Sequence, residues 1–273
     1  MKRFTPPADW QPNVLQSGAF AHLNQLFQLS HEQAWPSPAW LNQFLTAAVH
    51  SGQTAKFVAN GELSDETRYY EAIIYETGQI PTREENWHDL FGALIWCLFP
   101  KTKALLNACH MADIAKHGLQ SRTQHRNAIT LFDECGVLVV TTDPTMIAKL
   151  QQHHWLDAFA TSRPAWGVHC QAVIFGHANY EMLTAPFIGL TAKLLPVIVT
   201  DDYFNLDLMA QYQYLDSYLY QAISDSELLA DNRAMSPLPL LGVPGWWEDN
   251  IDAAFYENTE YFRPKRTKSA AAQ

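Results

Sequence analysis

The sequence predicts an α+β fold in which helices pack around a small antiparallel sheet with β-hairpins. Hydrophobic residues make up 48% of the 273 residues, which is enough to bury a sizeable core. Stretches with the 3.6-residue period of a helix alternate along the chain with short runs of β-branched and aromatic residues. No internal repeat or low-complexity linker divides the sequence, which favours a single domain.

The first part of the chain is predicted to form two helices and then two strands. Helical periodicity covers residues 17–29 and 37–50, and the serine at the start of each segment can cap its helix. Residues 56–60 and 69–77 have the composition of strands, the second being rich in Tyr and Ile. Gly78 is then expected to end this sheet and turn the chain.

The central part is predicted to form two helices and a hairpin. A strongly apolar helix covers residues 86–98, and a second helix begins at Pro100 and ends near residue 117. Residues 128–141 are predicted to form a β-hairpin with its turn at residues 133–136.

The last part is predicted to be mainly helical. Helices are expected over residues 143–154, 170–184 and 205–223, with a buried strand over residues 194–200. Residues 236–247 are rich in Pro and Gly but also apolar, so we expect an ordered segment wrapped over the core.

Composition excludes several functional classes. The formal net charge of −10 argues against nucleic-acid binding, which needs clustered Lys and Arg. The longest apolar run, residues 90–100, is too short to span a bilayer, and the N-terminal residues lack the apolar core of a signal peptide. The four cysteines form no CxxC pair or disulfide framework. We therefore expect a cytoplasmic protein without a membrane or nucleic-acid partner, and the oligomeric state is left open.

His88 and Asp89 lie in the first turn of the predicted helix 86–98. His88 could be a general acid or base that the helix N-terminus keeps neutral, or with equal weight a core residue. Asp89 follows Asn86 at the spacing of a capping box, so capping explains it better than catalysis. The free N–H groups at this end also form a natural anion site, which a nearby Arg83 would strengthen.

Arg122, His125 and Arg126 precede the predicted hairpin. Paired arginines suit a carboxylate or phosphate because each presents a fork of donors. An exposed loop whose charges balance an acidic protein is the slightly favoured alternative.

Asp133 and Glu134 are adjacent carboxylates that could act as a pair in catalysis. Their position in the predicted hairpin turn favours a structural role instead. Gly136 is then expected to take a positive φ, so that Gly136→Val would destabilise the fold.

His177 and Glu181 are four residues apart on one face of the predicted helix 170–184. This spacing could provide two metal ligands, or a histidine oriented by its carboxylate. Gly176 permits close approach of another backbone or a ligand. Surface ion pairs use the same spacing, and zinc usually takes three or four protein ligands. No bound transition metal and no other cofactor is therefore expected.

Several short stretches are together specific, although each is common alone. They are Tyr70-Glu71, Gly78 with Pro81-Thr82-Arg83, Asn86-Trp87-His88-Asp89-Leu90-Phe91, Phe99-Pro100, Lys103, Asn107, Phe132-Asp133-Glu134 with Gly136, Gly176-His177-Ala178 with Glu181, Pro237-Leu238-Pro239, Gly242-Val243-Pro244-Gly245-Trp246 and Phe262-Arg263-Pro264. Jointly they resemble a bacterial family of uncharacterised proteins, the domain of unknown function 3025 family. Gly92 departs from the resemblance, since the family is expected to carry Asn there. The resemblance implies a bacterial protein and adds no catalytic assignment.

The resemblance covers most of the chain. We expect one domain over residues 1–273, with a helical N-terminal segment over 1–55, a family core over 56–264 and a disordered tail over 265–273.

The leading hypothesis is a cytosolic enzyme of the hydrolase class that acts on a small anionic molecule. His88 and His177 would be its acid–base residues, Glu181 would orient a histidine, and Arg83 or Arg126 would anchor the anion. We predict that His88 shares a pocket with at least one of Arg83, Arg126 and His177.

The competing hypothesis is a non-catalytic module that binds a ligand or another protein. Trp246, in the segment 236–247, would then lie on the contact surface, and His125 is a further ligand-binding candidate. Convergence of the candidate side chains in one concave pocket would favour the enzyme.

Overall fold

A fully buried strand, β3 (Gly136–Thr141), lies at the centre of the molecule. In the computed structural model, which describes residues 4–49, 52–225 and 228–266, this strand belongs to a four-stranded sheet. The other strands of the sheet are β4 (Cys170–Ile174), β5 (Thr191–Ile198) and β6 (Ser236–Pro239), in the spatial order β4-β3-β5-β6. Two further strands, β1 (Lys56–Ala59) and β2 (Gln79–Thr82), form a separate parallel pair.

Helices surround the two sheets. Their bounds are α1 (Ala21–Phe27), α2 (Pro38–Leu41), α3 (Tyr70–Thr77), α4 (Trp87–Leu98), α5 (Pro100–His117), α6 (Gln124–Cys135), α7 (Pro144–Gln151), α8 (His177–Leu183) and α9 (Leu208–Asp225). Short 3-10 turns and one π-helical segment, Leu156–Thr161, connect several of them. The predicted α+β class is confirmed.

The sheet differs from the predicted antiparallel arrangement because it is mixed. Strand β3 pairs antiparallel with β4 but parallel with β5, from Gly136↔Lys193 to Thr141↔Ile198. All six residues of β3 are buried, as is typical of a strand covered on both faces.

The predicted hairpin over residues 128–141 is wrong. Residues 124–135 form α6, which begins where the Thr123 hydroxyl accepts a hydrogen bond from the Arg126 backbone N–H. Arg126, Ile129 and Phe132 are buried at the three-residue spacing of one helix face. Gly136 ends the helix with φ −65°, so the predicted positive φ is also wrong.

Two further predictions assigned the wrong type of secondary structure. The predicted strand 69–77 is instead helix α3 from Tyr70 to Thr77, and Gly78, at φ +71°, is its left-handed C-cap. The predicted helix 170–184 is strand β4 followed by α8, because pairing with β3 decides the conformation of the first five residues.

The predicted helices 86–98 and 100–117 are confirmed. Asn86 accepts a hydrogen bond from the Asp89 backbone N–H and begins α4, and α5 runs from Pro100 to His117 before Gly118. The predicted helix 37–50 is wrong after its first turn, since Ser37 caps α2 but α2 ends at Leu41. Of the predicted helix 17–29 only α1 is α-helical, and Ser17 makes no capping hydrogen bond. Residues 1–3 and 50–51 of the predicted N-terminal segment 1–55, and residues 267–273 of the predicted tail 265–273, lie outside the described residues.

Candidate functional site

Helix α4 carries His88 in its first turn, with the imidazole facing a cavity of about 330 Å³. The Asn86 cap fixes where this helix begins. The neighbouring side chains Trp87 and Leu90 are buried, so the helix is held firmly against the core. His88 is therefore presented to the cavity by a rigid element.

Glu181 lies behind His88 and orients its ring. The Glu181 Oε2 is 3.0 Å from Nδ1 of His88, which directs Nε2 of His88 away from Glu181. This hydrogen bond raises the pKa of His88, although burial opposes the shift. The expectation that the helix N-terminus keeps His88 neutral is thus wrong in direction, since a carboxylate faces the ring.

His177, at the first position of α8, is the second histidine of the site. Its Nε2 is 3.0 Å from Nε2 of His88, and the two rings meet edge to face with centroids 4.4 Å apart. Burial lowers the pKa of His177 to about 4. His177 is consequently a neutral imidazole with its Nε2 directed at His88.

Glu134 completes the cluster from the last turn of α6. Its Oε2 is 3.6 Å from Nε2 of His177 and 3.9 Å from Nε2 of His88. Burial raises the pKa of Glu134. The expectation that Glu134 forms a hairpin turn is corrected, because the helical conformation of α6 directs its side chain into the cavity.

Gly176 allows α8 to start this close to the end of α6. A Cβ at Gly176 would lie 2.4 Å from the Gly136 backbone nitrogen and 2.5 Å from the Glu134 carbonyl oxygen. The Gly176 N–H also donates to the Gly136 carbonyl at 2.8 Å. A glycine is therefore required here for the approach of one backbone to another, as its position beside His177 suggested.

Two ion pairs line the same cavity. Arg83 donates to Asp89 through its backbone N–H, Nε and Nη2, at 2.7–3.0 Å. Lys103 donates to Asp133 at 2.5 Å and lies over the Trp96 ring. Burial acts to raise the pKa of Asp133, but the charge and hydrogen bond of Lys103, together with the nearby His177 and His110, outweigh it, so the pKa is lowered.

The cavity lining thus contains Arg83, His88 and His177, so the predicted shared pocket exists. Asp89, expected to cap α4, instead uses its carboxylate to hold Arg83, and the cap is supplied by the Asn86 side chain.

Three other candidate residues lie outside the cavity. Arg126 is buried and donates to the carbonyls of Gly118 and Leu119, so it fixes the preceding loop instead of anchoring an anion. His125 Nδ1 contacts the Leu229 carbonyl at 2.9 Å. Trp246 is partly buried and packs against the hydrophobic core.

The sequence did not select four charged residues of the cavity as site residues: Glu71, Lys103, Asp133 and Glu134, the last two having been assigned to a turn. All four occur among the stretches that carry the family resemblance, and this was the signal that could have identified them. Gly92, the position that departs from the resemblance, faces the His177 ring, and a Cβ there would lie 3.7 Å from Cδ2.

Among the described residues, His88, His177 and Glu134 could together hold a metal ion, since their ligand atoms all lie within 4.8 Å of one another. The expectation of no metal rested on only two ligands, His177 and Glu181. Tertiary structure supplies three from three helices, and Glu181 instead supports His88.

Comparison with known proteins adds a family and no activity. A family model described as "Protein of unknown function (DUF3025)" matches residues 55–266 of the chain. No curated protein and no solved structure matches it. Within the described residues, no helix combines the length and the apolar character needed to cross a membrane.

Proposed function

The chain belongs to the DUF3025 family, whose function is unknown, and we propose that this member is a hydrolase with its active site in the cavity of His88, His177 and Glu134. One observation carries the proposal: a carboxylate orients one histidine, and a second histidine and a second carboxylate converge on the same point. Perturbed imidazole and carboxyl groups gathered in a cavity are typical of sites that move protons.

The substrate is proposed to be a small molecule with an anionic group. A cavity of about 330 Å³ matches the size of a metabolite rather than a polymer. Arg83, with 58% of its side chain exposed, lies at the rim and retains Nη1 after its bonds to Asp89. Lys103, which is paired with Asp133, also lines the cavity.

In the proposed reaction, the cluster activates a water molecule. The water oxygen attacks an acyl or phosphoryl centre, and the water gives up a proton to an imidazole or carboxylate of the cluster. The bond to the leaving group then breaks, and the leaving group takes up that proton. Glu181 stabilises positive charge on His88 whenever that ring gains a proton, because its carboxylate lies 3.0 Å from Nδ1.

We propose that this is a bacterial protein of the cytoplasm. Its four cysteines are all free thiols, and thiols persist in a reducing compartment.

The test is hydrolysis of a panel of small chromogenic carboxylic esters, amides and phosphoesters. We expect the intact chain to exceed the buffer rate for at least one class, and His88→Ala to lower that rate by about 10²–10⁴-fold. His169→Ala is the matched control, because this histidine is 58% exposed and outside the cavity. Retained activity in His88→Ala would contradict the proposal. Binding of a small anion without turnover of any probe would favour the non-catalytic module instead.

A further inference from the structure

We propose that His88, His177 and Glu134 bind one divalent transition-metal ion of the zinc class, with Glu181 as the carboxylate that orients His88. This inference rests on the proposed function in using the same cavity, and it identifies the agent that activates the water. Two imidazoles and one carboxylate from protein, with a water in the remaining position, form a ligand set used by hydrolytic zinc sites.

The separations of the three ligand atoms fit an ion. Nε2 of His88, Nε2 of His177 and Oε2 of Glu134 are 3.0, 3.6 and 3.9 Å apart. The point in their plane that is equidistant from these atoms lies about 2.1 Å from each, within the range of zinc–nitrogen and zinc–oxygen bonds.

The tautomer of His88 also fits. When its ring is neutral and Nδ1 donates to Glu181, the lone pair of Nε2 points towards the other two ligand atoms. A carboxylate on the far nitrogen is the usual support for a metal-bound histidine, since it fixes the ring and increases its basicity.

The charged side chains that line the cavity favour the binding of a cation. Apart from the two histidines, four carboxylates and two cationic groups line it: Glu71, Asp89, Asp133 and Glu134 against Arg83 and Lys103. A divalent ion would balance this excess of two negative charges. It would also reduce the repulsion between these carboxylates and an anionic substrate held by Arg83.

The bound ion would make hydrolysis chemically balanced without a further reactant. Held by His88, His177 and Glu134, such an ion would make a bound water more acidic, and the proton lost by that water would pass to a carboxylate lining the cavity. The new bond joins the water oxygen to the acyl or phosphoryl centre. The bond to the leaving group breaks, and that group takes up the proton that the carboxylate received.

Metal binding can be tested without knowing the substrate. The full chain, produced without a histidine tag and freed of metal with a chelator, is titrated with Zn²⁺ by calorimetry and with Co²⁺ by absorption spectroscopy. We expect one equivalent per chain, and a Co²⁺ spectrum of low-coordinate nitrogen and oxygen ligation.

Variants locate the ion. We expect His177→Ala to lose the stoichiometric site, Glu134→Gln to weaken it at least about tenfold, and Glu181→Gln to weaken it by about 10–100-fold. The exposed His169→Ala should bind as the parent does. Circular dichroism of each metal-free variant shows whether it has folded. The Co²⁺ spectrum of the unaltered chain tests the ligand set independently of any variant.

The possible outcomes separate this inference from the proposed function. Absence of stoichiometric binding, or binding that survives in folded His177→Ala, would overturn the metal site. Full hydrolysis by the metal-free chain would also overturn it while leaving the hydrolase proposal intact. Stoichiometric binding at these residues without hydrolysis of any probe would support the metal site and contradict the hydrolase.

Discussion

Gly136 lies at the junction of α6 and β3, where the chain turns from the end of a helix directly into the central strand. Its φ of −65° suits any residue, so the requirement for glycine is one of space. A Cβ would lie 2.5 Å from the Phe132 carbonyl oxygen and 2.6 Å from Cδ2 of the Phe132 ring. The Phe132 ring cannot retreat easily, because it stacks on Phe175 at 4.5 Å.

Replacing Gly136 by Ala is therefore expected to lower the free energy of unfolding by about 1–3 kcal/mol, the range for overpacked sites. Urea denaturation measures this change. Gly61→Ala is the matched control, since a Cβ there meets no atom within 4 Å, and it should change stability by about 0.5 kcal/mol or less. Equal stability of the two variants would contradict the steric explanation.

His22 provides a prediction of pH dependence away from the candidate site. Its Nδ1 lies 3.1 Å from the Tyr212 hydroxyl, and burial lowers the pKa of His22 below its ordinary value of 6.5. Between this value and the lower folded pKa, the unfolded chain binds the proton more readily. Stability contributed by neutral His22 is therefore present above about pH 6.5 and is lost as pH falls.

We expect His22→Gln to lose less stability than the parent chain when pH is lowered from about 7 to about 5.5. Urea denaturation at the two pH values measures the difference. The same substitution at the exposed His31 is the control and should leave the parent's pH dependence unchanged. Identical losses in His22→Gln and the parent would show that His22 does not carry the effect.

At the scale of the elements, the N-terminus of α5 is capped by a residue of another helix. Phe99 precedes α5 and offers no side-chain cap. Asp216 of α9 accepts hydrogen bonds from the backbone N–H groups of Lys101 and Thr102, at 3.0 and 2.8 Å, and is only 3% exposed. This carboxylate ties the two longest helices together because it satisfies N–H groups that α5 cannot satisfy itself.

Asp216→Ala is expected to lower the free energy of unfolding by about 2 kcal/mol or more, since it removes a cap and leaves buried donors without partners. Asp207→Ala removes the exposed cap that accepts from the Ala210 N–H and should cost about 1 kcal/mol or less. Thermal or urea unfolding compares the two variants. A larger loss for Asp207→Ala would exclude this role of Asp216.

Across the whole molecule, the residues before the family match pack on the helices that carry the candidate site. The Trp87 indole N–H of α4 donates to the Pro7 carbonyl at 2.9 Å, and Trp10 stacks on Trp87 at 5.0 Å. Phe20 contacts the rings of Phe91 on α4 and Tyr180 on α8, at 5.7 and 5.6 Å. The N-terminal segment thus covers the outer faces of both histidine-bearing helices.

We predict that the intact chain unfolds in one transition and that a chain beginning at residue 55 is much less stable. Truncation would expose aromatic rings that are now buried, which favours aggregation. Calorimetry of the intact chain and solubility of the truncated one test this. Equal melting temperatures for the two chains would contradict the prediction, because they would show that the N-terminal segment does not stabilise the rest of the chain.

Local signals in the sequence were sufficient to predict part of this structure. Asn86, Pro100 and Gly118 mark the ends of α4 and α5 because caps and first-turn prolines act within one helical turn. The same local reasoning placed His88 at the start of a buried helix and selected His177, Glu181 and Arg83. The structure brings those residues to one site.

Only the tertiary structure decided which partners meet across long separations. Strand β4 exists because β3 pairs with it, and Glu134 reaches the histidines because Gly176 lets α8 approach the end of α6. Three side chains from α4, α6 and α8 share no sequence period, so no local pattern could mark them as one cluster. The pKa of His88 also depends on a contact between distant residues. The helix N-terminus suggested a neutral His88, but the contact with Glu181, formed only on folding, raises the pKa of His88.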